Sequence, residues 1–333
     1  MSGRGPSVRV ALPWLHDAIG EARTAGTLPA MSALRWLAGR GNAAPPPQGG
    51  WREWLLGGVD ATMLAEFRRW SAGSSLAAAA GAGVGSAPGW AVAQPVHLAA
   101  GLDDVRMAPL ADAAPTPAEA EQLAATVRGH FAGDVFDLVD FVDGAWLVRC
   151  TEPIDCTTHD PATLAGRNIH DYLPAGRDGA RMRSRMNEIQ MVLHDHAVNE
   201  RRTSTRAAPI NALWLWGFGT FETSPQELAA TRRWVVQSDD LWLRSYWRAH
   251  GGAERSLGAA GDGDALIAMT QLPTTEPGEA LAEVDSSLLE RLRRAVQAGE
   301  WHSLAMYDGA RVYTLDRHAR LRVWRRPAAL GSD

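Results

Sequence analysis

Lysine is absent from this sequence of 333 residues, in which all 33 basic side chains are arginine. Its absence excludes chemistry that needs a lysine amine, namely a Schiff base with a carbonyl substrate and the phosphate-binding lysine of a P-loop. Cysteine occurs only at Cys150 and Cys156, which argues against a disulfide-stabilised scaffold. Because no run of 18 apolar residues occurs, the sequence predicts no membrane-spanning helix.

Several familiar catalytic and cofactor-binding motifs are missing as well. The sequence contains no Gly-x-Gly-x-x-Gly after a predicted strand, no Walker loop, no Gly-x-Ser-x-Gly and no His-Glu-x-x-His. The spacing of Cys150, Cys156 and His159 does not match the paired ligands of a structural zinc site. We therefore predict neither a cofactor nor a metal ion.

The overall composition is that of a folded protein, with 46% hydrophobic and 21% charged residues. The length suits one large α/β domain or two smaller ones with a sizeable core. A formal net charge of −5 argues against a general nucleic-acid binder and a polybasic membrane-surface protein, but it is compatible with a local basic patch. We expect a cytoplasmic protein, because no basic segment followed by an apolar one opens the sequence.

Helix and strand patterns alternate along the chain, which favours an α/β sheet. The clearest local signals are a hairpin over residues 136–150 and a helix that begins with a capping box at Thr116. A long helix is predicted over residues 178–196. The polar stretch 16–27 is interpreted as a loop, and the Ala/Gly/Ser-rich stretch 71–88 as a surface loop or a loose helix end.

A dense group of polar side chains lies between Cys150 and Asn211, and His97 is a further candidate to join it in space. Within this group, Asn199, Arg201 and Arg202 follow the predicted end of a helix, where they could clamp a phosphate or carboxylate or equally form a solvated loop. The candidate anion-binding or substrate-binding residues are His97, His159, Asp160, His194, His196, Asn199, Arg202 and Asn211.

The end of this group allows two interpretations. A helix is predicted to end at His196, a loop to carry Asn199 and Arg202, and a buried strand to begin near Asn211. His196 continues the apolar stripe of the helix, so it fits a core histidine as well as a ligand. The asparagines could tie the loop down, or they could bind an anion together with Arg202, whose guanidinium matches phosphate and carboxylate. We favour anion binding, which predicts an accessible Arg202 aimed into a cleft.

Five runs of residues resemble, in this order, the bacterial RpfE-type regulatory proteins. They are QPVHL at 94–98, TT at 157–158 with GRNI at 166–169, MNEIQM at 186–191, HDHAVNE at 194–200 and NALWLWGFG at 211–219. The middle of the chain is also similar, more distantly, to the archaeal-type cofactor-independent phosphoglycerate mutases. The positions that carry this second resemblance are His196, Asn199, Arg202, Pro209, Asn211, Gly217 and Gly219.

The second resemblance implies an alkaline-phosphatase-like α/β fold, with a mixed or parallel sheet and an inserted α+β domain that receives the substrate. The implied amino-terminal part of the core is 1–88, the inserted domain is 89–210, and the carboxyl-terminal part of the core is 211–333. These boundaries place the polar group mainly in the inserted domain.

The sequence departs from the mutases where that superfamily holds two metal ions. An early Asp-Gly, a Ser or Thr nucleophile at a helix start and a late Asp-His pair are all missing. His16 and Asp17 follow the first strand, and His250, His302 and His318 stand isolated. Since two-metal phosphoryl transfer needs both ligand clusters, we predict a catalytically degenerate member that acts as a regulatory or binding protein. The expected partner is a protein or a small anionic metabolite.

Two alternatives remain open. One is a metabolic enzyme of the phosphomutase or phosphohydrolase type, acting on a small phosphorylated or carboxylated metabolite. Its site would combine Arg202 with His97, His159, Asp160 and His194. The other is an exposed partner surface formed by paired tryptophans, such as Trp214 with Trp216 and Trp242 with Trp247, among the fourteen tryptophans of the chain.

Overall fold

The computed structural model describes residues 5–46, 48–101, 103–220, 223–259, 263–274 and 276–330. Its contacts divide the chain into two compact units. Unit 1 consists of the residues up to Phe67 together with those from Glu227 onward, and unit 2 is the segment Arg68–Gln226. In the described ranges, no helix combines the length and the apolar character needed to cross a membrane.

The strands of the described residues are β1 (Ser7–Ala11), β2 (Asn42–Ala44), β3 (Gly89–Val96), β4 (Leu98–Ala100), β5 (Val105–Met107), β6 (Phe136–Val142), β7 (Ala145–Cys150), β8 (Ala212–Gly219), β9 (Trp234–Ser238), β10 (Ala253–Glu254), β11 (Asp264–Ala268), β12 (Ser303–Tyr307) and β13 (Val312–Asp316). The helices are α1 (Leu15–Thr24), α2 (Ser32–Arg40), α3 (Gly50–Gly57), α4 (Ala61–Phe67), α5 (Ala72–Ala79), α6 (Pro117–His130), α7 (Gly179–His194), α8 (Ala197–Ser204), α9 (Leu241–Ala249), α10 (Pro277–Val284) and α11 (Glu290–Ala298). A wider helical turn, Asp285–Leu289, joins α10 to α11.

Unit 1 is built on a seven-stranded sheet in the order β10-β9-β11-β1-β12-β13-β2. The first five strands are parallel, whereas β13 and β2 run antiparallel to their neighbours. The central strand is β1, in which Val10 lies opposite Ile267 on one side and Met306 on the other. Val8 and Val10 pack against apolar side chains of α1, α2, α10 and α11. A mostly parallel sheet with a helix-covered face is the arrangement expected of an α/β protein.

The helical turn between α10 and α11 fixes the start of α2. Asp285 is buried, and its two carboxylate oxygens accept hydrogen bonds from the backbone N–H groups of Leu34 at 2.8 Å and Ala33 at 3.2 Å. These donors belong to the first turn of α2, where no intrahelical acceptor is available. The carboxylate thus caps α2 from a distant part of the chain.

Unit 2 is built on a four-stranded antiparallel sheet in the order β6-β7-β3-β8, with β4 and β5 forming a separate hairpin. Helices α5 and α7 both pack on β8. Trp146 of β7 and Trp214 of β8 are fully buried, and the indole N–H of Trp214 donates to the His159 carbonyl at 2.9 Å. The tryptophans of this sheet are therefore core residues.

Close approach of α5 to the sheet depends on three glycines. A Cβ on Gly73 would lie 2.5 Å from the Ala91 Cα, one on Gly217 would lie 2.6 Å from the Ala72 Cβ, and one on Gly219 would lie 2.5 Å from the Ser71 Oγ. Gly217 also has a φ of +64°, which glycine adopts without strain. Gly217 and Gly219, the Gly-x-Gly of the mutase resemblance, therefore allow the start of α5 to pack closely on β8.

The predicted α/β class with a mixed sheet is confirmed, and so are the hairpin over 136–150 and the capping box at Thr116. The polar stretch 16–27 is not a loop but carries α1. The stretch 71–88 is not a surface loop, because α5 lies in it and six of its residues are buried.

The two units divide the chain at other places than the predicted boundaries after residues 88 and 210. Both α5 and β8 belong to unit 2, because β8 pairs with β3 along its length and α5 packs on both strands. The segment enclosed by the two parts of unit 1 therefore starts at Arg68 and ends at Gln226.

Candidate functional site

Four of the predicted site residues converge on one short segment of unit 2, Ala208–Asn211, which leads into β8. Arg202 donates from Nε to the Ala208 carbonyl at 2.7 Å, and His97 Nδ1 lies 2.9 Å from the Pro209 carbonyl oxygen. Asn199 bonds the backbone of the next residue, Ile210. Asn211 itself bonds the backbone N–H and carbonyl of Leu98 at 2.8 and 2.9 Å. We call this segment, together with its partners Arg202, His97, Asn199 and Leu98, the 208–211 tie.

Arg202 is a buried member of the 208–211 tie and not an accessible clamp. Its side chain is 9% exposed. Besides Ala208 it bonds the carbonyls of Asp112 at 2.8 Å and Ala114 at 3.2 Å, and it forms an ion pair with Glu119 at 3.2 Å. Burial raises the pKa of Glu119, but hydrogen bonds from Thr116 and the Arg202 charge outweigh it, so the pKa is lowered overall. The guanidinium is thus occupied by the protein, which contradicts the expected anion clamp.

The expected loop around Asn199 and Arg202 is also wrong, because both residues lie in α8. His196 begins this helix: its Nδ1 accepts a hydrogen bond from the Val198 N–H at 3.1 Å, and its Nε2 lies 2.9 Å from the Thr126 Oγ1. Burial, and then the nearby Arg201 charge, lower the pKa of His196. Since Nδ1 accepts a bond only when it carries no proton, the neutral ring fits this position.

The remaining predicted residues do not join the 208–211 tie. His159 is half-buried, with Nδ1 3.2 Å from the Tyr172 carbonyl and its ring edge-on to Tyr172. Asp160 caps a short helical turn by accepting from the Ala162 N–H at 2.9 Å. His194 is 80% exposed and lies 3.7 Å from the Asp195 carboxylate. The eight residues therefore do not line one pocket, and most of them hold backbone in place.

A second candidate region lies where the parallel strands of unit 1 end, the edge at which α/β proteins bind their ligands. Asp239 and Asp240 directly follow β9, and Asp308 directly follows β12. None of the three is among the residues predicted from the sequence, although an Asp-Asp pair after a buried strand is a usable signal. All three carboxyl groups are substantially buried, so their partners decide what they can do.

Each of these carboxylates is bonded by protein donors. Asp239 accepts from the N–H and Oγ1 of Thr270 at 2.7 and 2.9 Å and from the Gln271 N–H at 3.1 Å. Burial raises its pKa despite those bonds.

Asp240 accepts hydrogen bonds from Nε and Nη2 of Arg52. It also caps α9 by accepting from the Leu243 N–H at 2.7 Å. Asp308 Oδ1 accepts from the N–H groups of Ala310 at 2.9 Å and Arg311 at 2.7 Å. Across the described residues, no three His, Cys, Asp or Glu side chains are grouped so that they could hold a metal ion. The edge is thus shaped by hydrogen bonds and an ion pair.

A cavity of about 380 Å³ lies in unit 1 between the sheet and the α10–α11 helix. Val8, Ala265 and Ile267 form its apolar floor. Gln237 of β9, which pairs with Ile267 of β11, also lines the cavity. Gln237 is 3% exposed, and its Oε1 has no hydrogen-bond partner. The volume and the mixture of apolar floor and polar walls are typical of a small-molecule site.

The opposite wall of this cavity is positively charged at Arg291. Burial lowers the pKa of Arg291, which means that its surroundings do not fully compensate its charge. Its guanidinium donates to the carbonyls of Gly258 and Ala259. Arg294, also on the wall, is neutralised by Glu290 at 2.8 Å. A half-buried cation on one wall and an amide oxygen without a donor on the other suit a small anion that also carries a hydroxyl donor.

Comparison with known proteins finds no family model that matches the chain. Curated relatives are 2,3-bisphosphoglycerate-independent phosphoglycerate mutases. The one from Methanothrix thermoacetophila is 30% identical over 124 residues, which are 37% of this chain and 30% of that protein. A probable one from Geobacter sulfurreducens is 31% identical over 103 residues, 31% of this chain and 26% of that protein. The matched segments thus span less than a third of these relatives.

Among solved structures, the PH0037 protein from Pyrococcus horikoshii superimposes with a TM-score of 0.50 at 15% identity, covering 98% of this chain and 91% of that one. A cofactor-independent phosphoglycerate mutase from Thermoplasma acidophilum gives a TM-score of 0.42 at 16% identity, covering 94% and 90%. The first likeness concerns the fold alone. Over part of its length, the chain is distantly similar in sequence to cofactor-independent phosphoglycerate mutases.

Proposed function

We propose that this protein is a catalytically degenerate relative of the phosphoglycerate mutases that works by binding, in a regulatory role, and not by turnover. The observation that carries the proposal is the state of the carboxylates at the carboxyl ends of the parallel strands. Asp239, Asp240 and Asp308 are bonded by backbone N–H groups, Thr270 and Arg52. Two-metal phosphoryl transfer needs carboxylate and imidazole groups that are grouped around metal ions. These carboxylates instead hold loops and a helix.

The mutase resemblance in unit 2 supports the same proposal. Asn199 and Arg202 bond the backbone of residues 208–210, Asn211 bonds the Leu98 backbone, and α5 packs on Gly217 and Gly219. Residues with these duties are needed for any protein that keeps the fold, whether or not it keeps the reaction. The resemblance therefore fits a retained scaffold.

The ligand that best fits the cavity of unit 1 is a small metabolite with a carboxylate or phosphate group. Such a group would compensate Arg291, and a donor on the same molecule would satisfy the Gln237 amide. 3-Phosphoglycerate carries a carboxylate, a phosphate and one hydroxyl donor, so it is the natural first probe. The sequence also predicts a protein partner as the alternative to a small metabolite in a regulatory role.

The test of degeneracy is an activity and metal assay on the purified full chain. We expect no interconversion of 3-phosphoglycerate and 2-phosphoglycerate and no phosphate release with Mg²⁺, Mn²⁺, Co²⁺ or Zn²⁺ present. We also expect less than stoichiometric metal after dialysis. Turnover that survives further purification, together with stoichiometric metal, would establish the alternative of a phosphomutase or phosphohydrolase.

The test of the cavity is calorimetric titration with 3-phosphoglycerate. The variants R291Q and Q237L should each weaken binding by about tenfold or more, as expected for loss of a charge-assisted or buried hydrogen bond. R232Q is the matched control, because Arg232 lies in the same unit and pairs with Glu227, and neither residue lines the cavity. Absence of binding, or equal affinities for all three variants, would rule out this site and leave degeneracy to the activity assay.

A further inference from the structure

A short segment near the carboxyl end of unit 1 exposes large apolar side chains. Leu321 is 58% exposed, Val323 75% and Trp324 74%. Of the fourteen tryptophans, all of which are described, the other thirteen are buried or half-buried. Other large apolar side chains that are exposed in the described residues, Val84, Val105, Val139 and Met191, are far apart in sequence. Three neighbouring exposed apolar groups on a folded protein indicate a contact surface.

The same segment is strongly basic. Residues 317–326, here called the Arg–Trp segment, contain five arginines and no acidic residue, although the whole chain has a net charge of −5. Arg317, Arg320 and Arg326 are exposed. The segment combines excess positive charge with protruding apolar groups.

Two of the arginines hold the Arg–Trp segment in place. Arg322 donates to the Arg40 carbonyl at 2.8 Å, and Arg325 donates to the Gly41 carbonyl at 2.8 Å. Both acceptors lie at the carboxyl end of α2, where helix carbonyls lack intrahelical partners. The backbone is therefore anchored, so that Val323 and Trp324 project from a fixed base.

We propose that the Arg–Trp segment docks the protein onto an anionic lipid surface. Side chains that are three-quarters exposed need a partner that accepts protruding groups without a matching pocket, and the interfacial layer of a bilayer does this for tryptophan and aliphatic groups. The exposed guanidinium groups then bind lipid phosphates, each strengthening binding about fivefold near an anionic membrane. An acidic protein would need a complementary cavity as well as charge. Docking does not depend on whether unit 1 has enzymatic activity.

The test is co-sedimentation of the full chain with vesicles of phosphatidylcholine in which about 30% of the lipid is phosphatidylserine. We expect binding to these vesicles, little binding to pure phosphatidylcholine, and a decrease as salt screens the charges. The double variant V323S/W324S and the double variant R317Q/R326Q should each bind about tenfold more weakly. Because these side chains are exposed, both variants should keep the thermal midpoint of the parent.

The matched control is M191S, since Met191 is 77% exposed but lies on α7 in unit 2. It should bind vesicles as the parent does. Failure of the parent protein to bind anionic vesicles would overturn the proposal, and so would equal binding by M191S and V323S/W324S. Binding to poly-glutamate or single-stranded RNA without binding to vesicles would also overturn it, by assigning the segment to another class of partner.

Discussion

Asn199 holds Ile210 by both of its backbone groups. The side-chain Nδ2 donates to the Ile210 carbonyl at 2.9 Å, and Oδ1 accepts from the Ile210 N–H at 2.8 Å. The same Nδ2 also donates to the Leu193 carbonyl at 2.8 Å. The buried Asn199 amide thus makes the two hydrogen bonds that a neighbouring strand would otherwise make with Ile210. It also links α7, α8 and the residues that lead into β8.

Removing this amide should destabilise the protein strongly. N199A leaves the Ile210 N–H and the Leu193 and Ile210 carbonyls buried without this partner, so we expect a loss of about 2–4 kcal/mol of unfolding free energy. Urea denaturation measures it. N168A is the control, because Asn168 is exposed and accepts a single local bond from His170, and its loss should stay below about 1 kcal/mol. Equal effects of the two changes would contradict the 208–211 tie.

Arg202 should behave as a structural residue. R202L leaves three carbonyl groups and the Glu119 carboxylate without their guanidinium, and breaking a buried ion pair costs about 3–5 kcal/mol. The expected result is a large fall in thermal midpoint. R201L removes only an exposed side chain that bonds Gln122 and should shift the midpoint little. An R202L variant as stable as the parent would contradict the structural role of Arg202.

His196 predicts a specific pH dependence. Its pKa is lowered from the usual value of 6.5, so below that pH the unfolded chain takes up a proton that the folded chain resists. Stability should therefore be fully present above about pH 6.5 and decline as the pH falls. Urea midpoints at several pH values between 5 and 8 measure this.

The matched variants for His196 separate titration from capping. H196N keeps an acceptor suited to a helix start but does not titrate, so its midpoint should depend less on pH than the parent's. H194Q changes an exposed histidine and should leave the dependence as it is. A parent-like pH profile in H196N would assign the effect to another group.

Gly217 should tolerate no side chain. G217A combines a φ of +64° with a Cβ 2.6 Å from the Ala72 Cβ, so α5 must move away from β8. G81A is the control, because Gly81 has a φ of +83° but nothing within 4 Å of its Cβ position. The control measures backbone strain alone, about 1–2 kcal/mol, and G217A should cost at least 1 kcal/mol more because of the overlap. Thermal and urea unfolding of both variants decide this.

Elements with local signals could be predicted from the sequence. The hairpin over 136–150 has a turn pair between two alternating runs, and Thr116 with Glu119 forms the reciprocal bonds of a capping box. The start of α8 has no such signal in the sequence. Its N-cap is the His196 ring, which takes the place of the usual Ser, Thr, Asp or Asn.

The rest of the candidate site depended on distant contacts. Arg202 bonds carbonyl groups 88 and 90 residues earlier in the chain, and no pattern around position 202 indicates them. Helix α5 is rich in Ala, Gly and Ser, a composition that is also common in loops. It forms a buried helix because Gly217 and Gly219 of β8 leave room for it to pack closely. The paired tryptophans Trp214 and Trp216 were a candidate surface, yet β8 is buried there.

The position of β1 at the centre of its sheet has a consequence for the nascent chain. Both neighbours of β1, the strands β11 and β12, follow it by more than 250 residues, and β12 begins about 290 residues after β1 ends. At the usual speed of translation, roughly 5–20 residues per second, the ribosome needs roughly 15–60 s to deliver them. During that time the unpaired edges of β1 are open to wrong partners or to a chaperone, and all of unit 2 is synthesised before β1 gains either neighbour.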